Sequence, residues 1–445
     1  MGIRKNIIFY FSDQQRWDTV NEQVTPNLME LAADGVKFES SFTCQPVCGP
    51  ARSCLQTGLN ATQSGCFKNG ISLPKEIKPL AEYFNEAGYD TAYVGKWHLA
   101  SDDRPSHAFH CEKTAVPRDR QGGYRYWRAV DILEFTSHGY DGYLFDNDGN
   151  QLDFKGYRPD CVNDFALEYL EKGRDPEKPF FLFLSQIEPH HQNDHHRYEG
   201  YRETVGDYQN YPIPGDLSFL KGDYREQYPD YISAINRLDY NVGRMVQKLK
   251  DLGLYEDTVI LYTSDHGSHF KTRNMEYKRS CHEGSIHTPL IIRGGEFRGG
   301  IREQRLVSLL DIPPTLLSIA GIPVPDSYAG HDVTALMKND RPTRDCVFIQ
   351  ISESHCGRAI RTPRYTYSIR GKGGWKTGWF QSSAKVYYED YLYDLEKDPC
   401  EKVNLVKNPR YKEVRRQLRE MLVREMRRAG EETPVIRSPL IAKKK

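Results

Sequence analysis

Continuous apolar runs alternate with amphipathic stretches along most of the chain. Runs of this kind are typical of strands buried on both faces of a sheet, and they lie at residues 6–11, 91–94, 180–184, 258–262 and 289–292. Thr25 and Pro26 open a predicted helix that Gly35 closes, and apolar residues at helical spacing predict another helix over residues 229–253. The alternation predicts an α/β fold whose mostly parallel sheet is sandwiched by helices.

The C-terminal part of the chain has a different pattern. Short apolar runs between turn residues predict antiparallel strands at residues 347–351, 359–361 and 365–369. One amphipathic helix, which ends near Gly430, is predicted by the spacing of Tyr411, Val414, Leu418, Leu422 and Met426. We therefore expect a large α/β domain over residues 1–340 and a smaller α+β subdomain, with an antiparallel sheet plus helix, over residues 341–445. The lysine-rich tail at 442–445 is expected to be solvated.

Composition and charge exclude several classes of protein. Lysine and arginine together number 61, as do aspartate and glutamate, so the formal net charge is zero. This balance argues against a nucleic-acid partner, and no apolar run reaches transmembrane length, so no membrane partner is expected. The start of the chain shows no signal peptide. A cytoplasmic location follows, unless a signal peptide has been removed, in which case the protein is periplasmic or secreted.

The cysteines give little evidence of structural cross-links. There are ten of them, and no Cys-x-x-Cys pair occurs, which disfavours a structural zinc site. Disulfides among Cys44, Cys54 and Cys66 stay open.

Polar and charged side chains follow four of the predicted strands. Because ligands bind open α/β sheets at the carboxyl ends of the strands, we expect these residues to share one site. They are Asp13 and Gln14 after the first strand, Lys96 and His98 after the second, His190 after the third, and Asp265 and His266 after the fourth.

These residue types suit a metal ion beside an anionic group. Asp13 and Asp265 offer hard oxygen ligands for a divalent cation such as Ca²⁺, with Mg²⁺ as the alternative. Lys96, His98, His190 and Lys278 offer positive charge for an anion, and one histidine is expected to protonate a leaving alkoxide. Taken singly, each has an ordinary alternative: a turn aspartate, a packed histidine or a solvated lysine.

The segment 48–52 is the most distinctive in the chain. It reads Cys-x-Pro-x-Arg, and Leu-Gln-Thr-Gly follows at residues 55–58. A helix is predicted to begin here, which places Cys48 at a helix N-terminus, where anions are favoured. Arg52 lies one turn further on. Taken alone, Cys48 is more readily interpreted as a small buried apolar residue.

Together these features resemble the type I formylglycine-dependent sulfatases of the alkaline-phosphatase superfamily, among them bacterial polysaccharide sulfatases. The similarity extends in order through residues 6–14, 25–38, 48–58, 88–91, 95–99, 179–184, 189–190, 239–253, 263–267, 283–289, 311–317 and 392–399. In this family a formylglycine-generating or anaerobic sulfatase-maturating enzyme oxidises the cysteine thiol to an aldehyde. One hydroxyl of the hydrated aldehyde attacks sulfur, and the other later collapses back to the aldehyde and expels sulfate.

The resemblance implies a role for each candidate residue. Cys48 becomes the formylglycine nucleophile and lies beside a calcium ion held by Asp13, Gln14, Asp265 and His266. Arg52 and Lys96 support the diol and the sulfate. The residues that bind sulfate or move protons are His98, His190 and Lys278, with His190 as the general acid.

Some positions depart from the usual family pattern and bear on the substrate. Asp13-Gln14 stands where many members have two aspartates, and this form, with Arg16 and Asp18 after it, resembles choline sulfatases and phosphonate monoester hydrolases. A phosphonate monoester or phosphodiester hydrolase is therefore the alternative function. A non-catalytic carbohydrate-binding relative would require a broken site, and the set of candidate residues is complete.

We expect the substrate to be a sulfated carbohydrate, such as the algal polysaccharide ulvan or its oligosaccharides. Loops rich in histidine and arginine suit an anionic sugar. The residues expected to contact it are His191, His195, His196, His269, Arg273 and His282.

Overall fold

The computed structural model describes residues 4–338 and 344–439. Within these residues the strands are β1 (Asn6–Ser12), β2 (Val36–Phe38), β3 (Ser41–Phe42), β4 (Asp90–Lys96), β5 (Tyr126–Val130), β6 (Ser137–His138), β7 (Asp141–Phe145), β8 (Gln151–Lys155), β9 (Phe180–Ser185), β10 (Thr258–Ser264), β11 (Leu290–Arg293), β12 (Ile301–Glu303), β13 (Val307–Ser308), β14 (Val347–Ile351), β15 (Gly357–Arg361), β16 (Tyr365–Gly371), β17 (Val386–Asp394) and β18 (Val435–Arg437).

The helices of the same residues lie between and around these strands. They are α1 (Pro26–Asp34), α2 (Cys48–Thr57), α3 (Ala61–Ser64), α4 (Leu80–Glu86), α5 (Leu133–Thr136), α6 (Arg158–Glu168), α7 (Gly215–Ser218), α8 (Tyr224–Asp251), α9 (Glu283–Ile286), α10 (Ile312–Ile319), α11 (Thr334–Lys338), α12 (Trp375–Phe380) and α13 (Lys412–Arg428). None of these helices is long and apolar enough to cross a membrane.

An eleven-stranded sheet organises the larger part of the described chain, in the order β12-β2-β11-β10-β1-β9-β4-β5-β7-β6 with β8 paired to β7. The five central strands, β10, β1, β9, β4 and β5, are parallel to one another. β11, which the sequence predicts at residues 289–292, is antiparallel to β10. The predicted mostly parallel sheet is confirmed, and the carboxyl ends of its central strands lie at one edge.

Both faces of the central strands are apolar because each face carries a layer of helices. Along β1, Phe9 and Phe11 belong to the cluster that includes α2, α4 and α10, whereas Ile8 and Tyr10 belong to the cluster that includes α1, α6 and α8. Successive side chains of a strand point to opposite faces, so a continuous apolar run is what a doubly covered strand requires.

Two helices differ in detail from their predictions. Thr25 is the residue before α1, as expected, but its side chain does not cap the helix. Asp239 of α8 does so instead, because its carboxylate accepts hydrogen bonds from the backbone N–H groups of Asn27 and Leu28, at 3.0 and 2.7 Å. α8 begins before the predicted residue 229, at Tyr224, which packs with Tyr228 in a cluster of aromatic side chains.

The C-terminal part forms a separate five-stranded sheet in the order β14-β15-β16-β17-β18. Its first four strands are antiparallel, and Leu418, Leu422 and Met426 of α13 pack against it, which confirms the predicted sheet and helix. The boundary expected at residue 340 and the tail at 442–445 lie outside the described residues. The domain limits therefore stay a prediction.

The C-terminal sheet contacts the segment that leads to and from α2. The backbone N–H of Gln350 donates to the carbonyl of Cys44 at 2.9 Å, and the N–H of Asn69 donates to Glu353 Oε1 at 2.8 Å. All ten cysteines, including Cys44, Cys54 and Cys66, are free thiols. Packing and hydrogen bonds, without disulfides, hold the two sheets around Cys48.

Candidate active site

Four strand ends and one helix N-terminus meet at the carboxyl edge of the large sheet. Asp13 follows β1, Lys96 ends β4, Ser185 ends β9, and Asp265 follows β10. β1 lies between β9 and β10, with Ser12 opposite Ser264 and Phe11 opposite Ser185, so residues that follow these strands are close in space. The site thus depends on the order of parallel neighbours in the sheet.

Cys48 is the first residue of α2 and lies at the centre of this group. Its Sγ is 2.8 Å from Lys278 Nζ, 3.3 Å from His266 Nε2 and 3.5 Å from Asp13 Oδ1. The side chain is buried. Burial raises the pKa of the thiol, but the ammonium groups of Lys278 and Lys96 outweigh it and hold the pKa well below its usual value. The surroundings of Sγ therefore favour an anion.

Asp13 connects Cys48 to two buried cations. Its Oδ2 accepts hydrogen bonds from Lys96 Nζ at 3.0 Å and Arg52 Nη2 at 3.1 Å. Arg52 is fixed in turn by Nη1, which donates to Ser185 Oγ at 2.6 Å and to the carbonyl of Lys96 at 2.8 Å. Burial and Cys48 raise the pKa of Asp13, yet Lys96 and neighbouring cations hold it well below its usual range.

The ligand atoms of Asp13, Cys48, Asp265 and His266 lie within 4.8 Å of one another, a spacing that suits a metal ion. Asp265 Oδ1 accepts from the N–H groups of Gln14 and His266, each at 2.9 Å, whereas its buried Oδ2 has no hydrogen-bond partner. Burial and then repulsion by Asp13 raise the pKa of Asp265 to about 7. A hard divalent cation would satisfy the unpartnered oxygen and stabilise both carboxylates.

His266 and Gln14 take different orientations around this position. His266 Nδ1 lies 3.0 Å from the Gly267 carbonyl, which can only accept, so Nδ1 donates, and Nε2 faces Cys48 Sγ at 3.3 Å. Gln14 lies in the left-handed region with φ 70°. Its Nε2 donates to Tyr198 Oη at 2.6 Å, and its Oε1 lies 3.5 Å from Lys278 Nζ. Gln14 can offer a metal only its amide oxygen.

Lys278 and His190 form the opposite wall of the site. Lys278 Nζ donates to His190 Nε2 at 3.2 Å as well as to Cys48. Burial and the charge of Lys278 lower the pKa of His190. Both side chains are buried, so an incoming anion would meet them with little water between.

His98 is the remaining residue that was predicted to bind sulfate or move protons. It follows β4 with φ 62° and lines a neighbouring cavity, and its buried Nδ1 has no hydrogen-bond partner. The structure therefore places His98 in the wall of that cavity.

The residues predicted to contact the substrate are mostly engaged inside the protein. His191 Nε2 bonds Tyr277 Oη at 2.8 Å, His269 Nε2 bonds the Lys278 carbonyl at 3.0 Å, and His282 Nε2 bonds Tyr393 Oη at 3.2 Å. Burial lowers the pKa of each imidazole, to about 4 for His191 and His269. Their predicted role in substrate binding stays a prediction.

Three other predicted contacts lie elsewhere on the molecule. Arg273 donates to the carbonyls of Cys400 and Glu401, each at 3.1 Å. His195 is exposed and lies 2.5 Å from Glu199 Oε1, and His196 is exposed with φ 54°.

Sequence reasoning missed Glu134, which the structure brings into the site. Its Oε1 accepts from Lys96 Nζ at 3.3 Å, while its buried Oε2 accepts no hydrogen bond. Lys96 and two nearby histidines overcome burial and lower the pKa of Glu134 to about 2. Glu134 belongs to α5, which follows β5 of the parallel sheet. The strand-end criterion would have found it, but the apolar run of β5 is broken by Arg128.

Comparison with known proteins agrees with this geometry. The sulfatase family matches residues 5–322, and the family described as N-sulphoglucosamine sulphohydrolase, C-terminal, matches residues 273–428. An ulvan-active sulfatase of Formosa agariphila is 28% identical, over 96% of this chain and 82% of its own length.

Solved structures with low identity share the fold. One, in complex with its substrate D-glucosamine-2-N,6-O-disulfate, aligns with TM-score 0.80 and 22% identity over 97% of this chain and 99% of that one. A phosphonate monoester hydrolase from Silicibacter pomeroyi aligns with TM-score 0.70 and 20% identity over 97% and 96%. Given the family match along most of its length, this chain belongs to the sulfatase family and is a sulfuric ester hydrolase of the alkaline-phosphatase superfamily.

Proposed function

We propose that this protein hydrolyses the sulfate esters of a sulfated carbohydrate through a formylglycine made from Cys48, beside a calcium ion. The observation that carries the proposal is the position of Cys48 Sγ, 2.8 Å from Lys278 Nζ and next to two carboxylates and an imidazole. A nucleophile, a cation for the anionic ester and a set of metal ligands thus share one buried site.

Formylglycine would replace the Cys48 thiol with an aldehyde hydrate, which supplies one hydroxyl to attack sulfur and a second that allows sulfate to leave. In the folded protein only 1% of Cys48 is exposed. A maturation enzyme needs access to this side chain, so we infer that a formylglycine-generating or anaerobic sulfatase-maturating enzyme acts before folding is complete.

Asp13, Asp265, His266 and the amide oxygen of Gln14 would hold the calcium ion. When bound, the ion supplies positive charge that stabilises the nucleophile and the sulfate oxygens. Lys96 and Arg52 donate to Asp13 Oδ2 and so keep Oδ1 directed towards Cys48. The modified residue would also face the ion, because Cys48 Sγ lies within 4.8 Å of the ligand atoms of Asp13, Asp265 and His266.

Lys278 and His190 would act on the substrate itself. Lys278 Nζ is poised to donate to an oxygen of the sulfate, which lowers the energy of the charge that develops there. His190, 3.2 Å from Lys278 Nζ, is the proposed general acid, which protonates the leaving sugar oxygen. The negative charge of a bound sulfate favours the protonated form of this imidazole.

The substrate that we propose is a sulfated polysaccharide such as ulvan, or its oligosaccharides. Support comes from the similarity to an ulvan-active sulfatase and from the structural neighbour in complex with a sulfated amino sugar.

A phosphonate monoester or phosphodiester hydrolase is the second candidate. The observation in its favour is Gln14 in place of an acidic ligand, which gives the metal site one negative charge fewer than an Asp-Asp pair. The shared fold with a phosphonate monoester hydrolase agrees with it.

The test is the anion that the matured protein releases. The protein would be produced with a formylglycine-generating enzyme, its modification confirmed by mass of the peptide that contains residue 48, and assayed by ion chromatography. The panel contains ulvan oligosaccharides, animal glycosaminoglycan fragments, an aryl sulfate and a phosphonate monoester. Sulfate release that Cys48→Ala abolishes supports the proposal, whereas phosphonate release without sulfate would move the function to the second candidate.

A further inference from the structure

A cavity of about 290 Å³ lies next to the Cys48 site. Two hydrogen bonds join its wall to the catalytic residues. Asn69, which lines it, accepts from the N–H of Gly49 at 2.9 Å through Oδ1, and Glu134 accepts from Lys96 Nζ at 3.3 Å. The cavity is therefore placed to hold the part of a substrate that leaves when sulfate is removed.

The charged residues of this lining are carboxylates. Asp103, Glu112, Asp131 and Glu134 line the cavity, together with His98, and neither lysine nor arginine occurs among its described lining residues. Asp131 accepts hydrogen bonds from the N–H groups of Ala100 and Ser101, each at 2.8 Å. We call this cavity, defined by the four carboxylates, the acidic pocket.

Several cations border the acidic pocket without being part of its lining. Lys68 Nζ lies 5.1 Å from the ring centre of Trp379, and Lys113 Nζ lies 5.8 Å from that of Phe135, but neither lysine is part of the lining. His110 Nδ1 lies 2.9 Å from Glu112 Oε1, and Lys96 Nζ lies 3.3 Å from Glu134 Oε1. The side chains that line the pocket themselves include four carboxylates and no lysine or arginine among the described residues.

Two aromatic rings give the pocket a surface for the apolar face of a sugar. Phe135 is 49% exposed, and Trp379 of α12 is partly buried in the same lining. Carbohydrate hydroxyls are good partners for carboxylate oxygens, and an ammonium group is a better one. A carboxylate or second sulfate would instead face like charge in a partly desolvated space.

We propose that the acidic pocket selects a leaving sugar ring that is neutral or amine-bearing and rejects a ring that carries a second anionic group. This inference rests on the proposed function, because the pocket acts only if sulfate is bound at Cys48. It names Asp103 and Glu112, which lie at the exposed rim, as specificity-determining residues.

The test uses three phenyl sulfates of similar shape, which avoids dependence on the identity of the sugar. They carry a para aminomethyl, hydroxymethyl or carboxylate group. With the matured enzyme, we expect kcat/KM for the carboxylate to be at least tenfold below that for the hydroxymethyl compound, with the aminomethyl compound equal to or above it. High salt should narrow these differences. An equal or higher kcat/KM for the carboxylate would overturn the inference.

Variants of the two rim carboxylates test whether these residues cause the preference between the compounds. In Asp103→Asn/Glu112→Gln, the ratio of kcat/KM for the carboxylate to that for the hydroxymethyl compound should rise at least threefold, while Glu420→Gln, the same change on α13, should leave the ratio unchanged. An unchanged ratio in the double variant would show that the rim carboxylates do not set the preference. This would overturn the assignment of those two residues.

A binding measurement separates failure of this inference from failure of the proposed function. Calorimetry with the unmatured protein, which retains the Cys48 thiol, ranks the affinities of the same three compounds without turnover. Weaker binding of the carboxylate would support the acidic pocket even if the matured protein released no sulfate, whereas absence of release would contradict the proposed function alone. Equal affinities for all three would overturn the inference by itself.

Discussion

The Cys48 site and the acidic pocket are neighbours that handle charge in opposite ways. At the Cys48 site the cations Arg52, Lys96 and Lys278 are buried and held by short contacts to anionic or polar partners. In the acidic pocket the carboxylates of Asp103 and Glu112 face partly open space without a lysine or arginine in the described lining. The first arrangement fixes the position of a reacting anion, and the second discriminates between groups attached to it.

Glu134 belongs to both regions and shows how they are separated. Its carboxylate accepts a hydrogen bond from Lys96 Nζ at the Cys48 site. The same side chain lines the acidic pocket. One negative charge therefore both balances a catalytic cation and contributes to the potential of the pocket. Two regions of opposite charge can lie this close because a buried ion pair stands between them.

The largest change that we expect is loss of the nucleophile. Cys48→Ala should lower sulfate release by at least about 10⁴-fold while the protein remains folded, because only one sulfur atom is removed from a helix N-terminus. Ion chromatography measures the loss and circular dichroism checks the fold. Cys161→Ala, a matched change at a partly buried cysteine of α6, should retain activity. Turnover by Cys48→Ala at the wild-type rate would show that the nucleophile is another residue.

Removal of a metal ligand should have the next largest effect. Asp265→Ala should lose bound calcium and lower kcat by about 10²–10³-fold, since it removes the carboxylate whose Oδ2 has no protein partner. Elemental analysis of the purified holoprotein gives the metal content. Asp146→Ala, a matched change in an exposed turn, should keep it. Stoichiometric calcium in Asp265→Ala would remove this residue from the ligand set.

If His190 is the general acid, the loss of rate in a His190 variant should depend on the leaving group of the substrate. His190→Ala should slow an alkyl or sugar sulfate by about 10²-fold or more but an aryl sulfate much less, because a phenolate leaves without full protonation. The measurement is the ratio of kcat/KM for the two substrates, with the exposed His107→Ala as the control. Equal losses on both substrates would assign His190 to binding alone.

The smallest effect is expected where the two regions meet. Glu134→Gln keeps an oxygen that can accept from Lys96 but removes the charge, so kcat/KM for all phenyl sulfates should fall by about tenfold or less. At the same time, discrimination against the para-carboxylate compound should weaken. If the rates fell but the ratio between the compounds did not change, Glu134 would serve the Cys48 site and contribute nothing to the pocket.

The strand-end residues could be predicted because the signal is local. A continuous apolar run marks a central strand, and the polar residue that follows it lies at the carboxyl edge whatever the order of the strands. Asp13, Lys96 and Asp265 were found in this way, and their distances from one another became known only with the order β10-β1-β9-β4. The Cys-x-Pro-x-Arg segment added Cys48 and Arg52 on the strength of the family resemblance.

Burial and long-range pairing are what the sequence could not show. His191, His269 and His282 stand in polar loops, yet each is buried against a partner distant in sequence or brought near by loop folding. The acidic pocket combines Asn69, Glu134 and Trp379, which come from three separate parts of the chain. The cap that Asp239 provides for α1 is likewise a contact between two helices and has no local signature.

The measurement that tests the central claim most directly is the anion released by the matured protein, compared with Cys48→Ala, from sulfated carbohydrates and a phosphonate monoester. The account predicts inorganic sulfate from a sulfated sugar with the wild type and none with the variant, in protein whose residue 48 is shown by mass spectrometry to be formylglycine. Sulfate released equally by both proteins, or no sulfate from any sugar in fully modified protein, would contradict it.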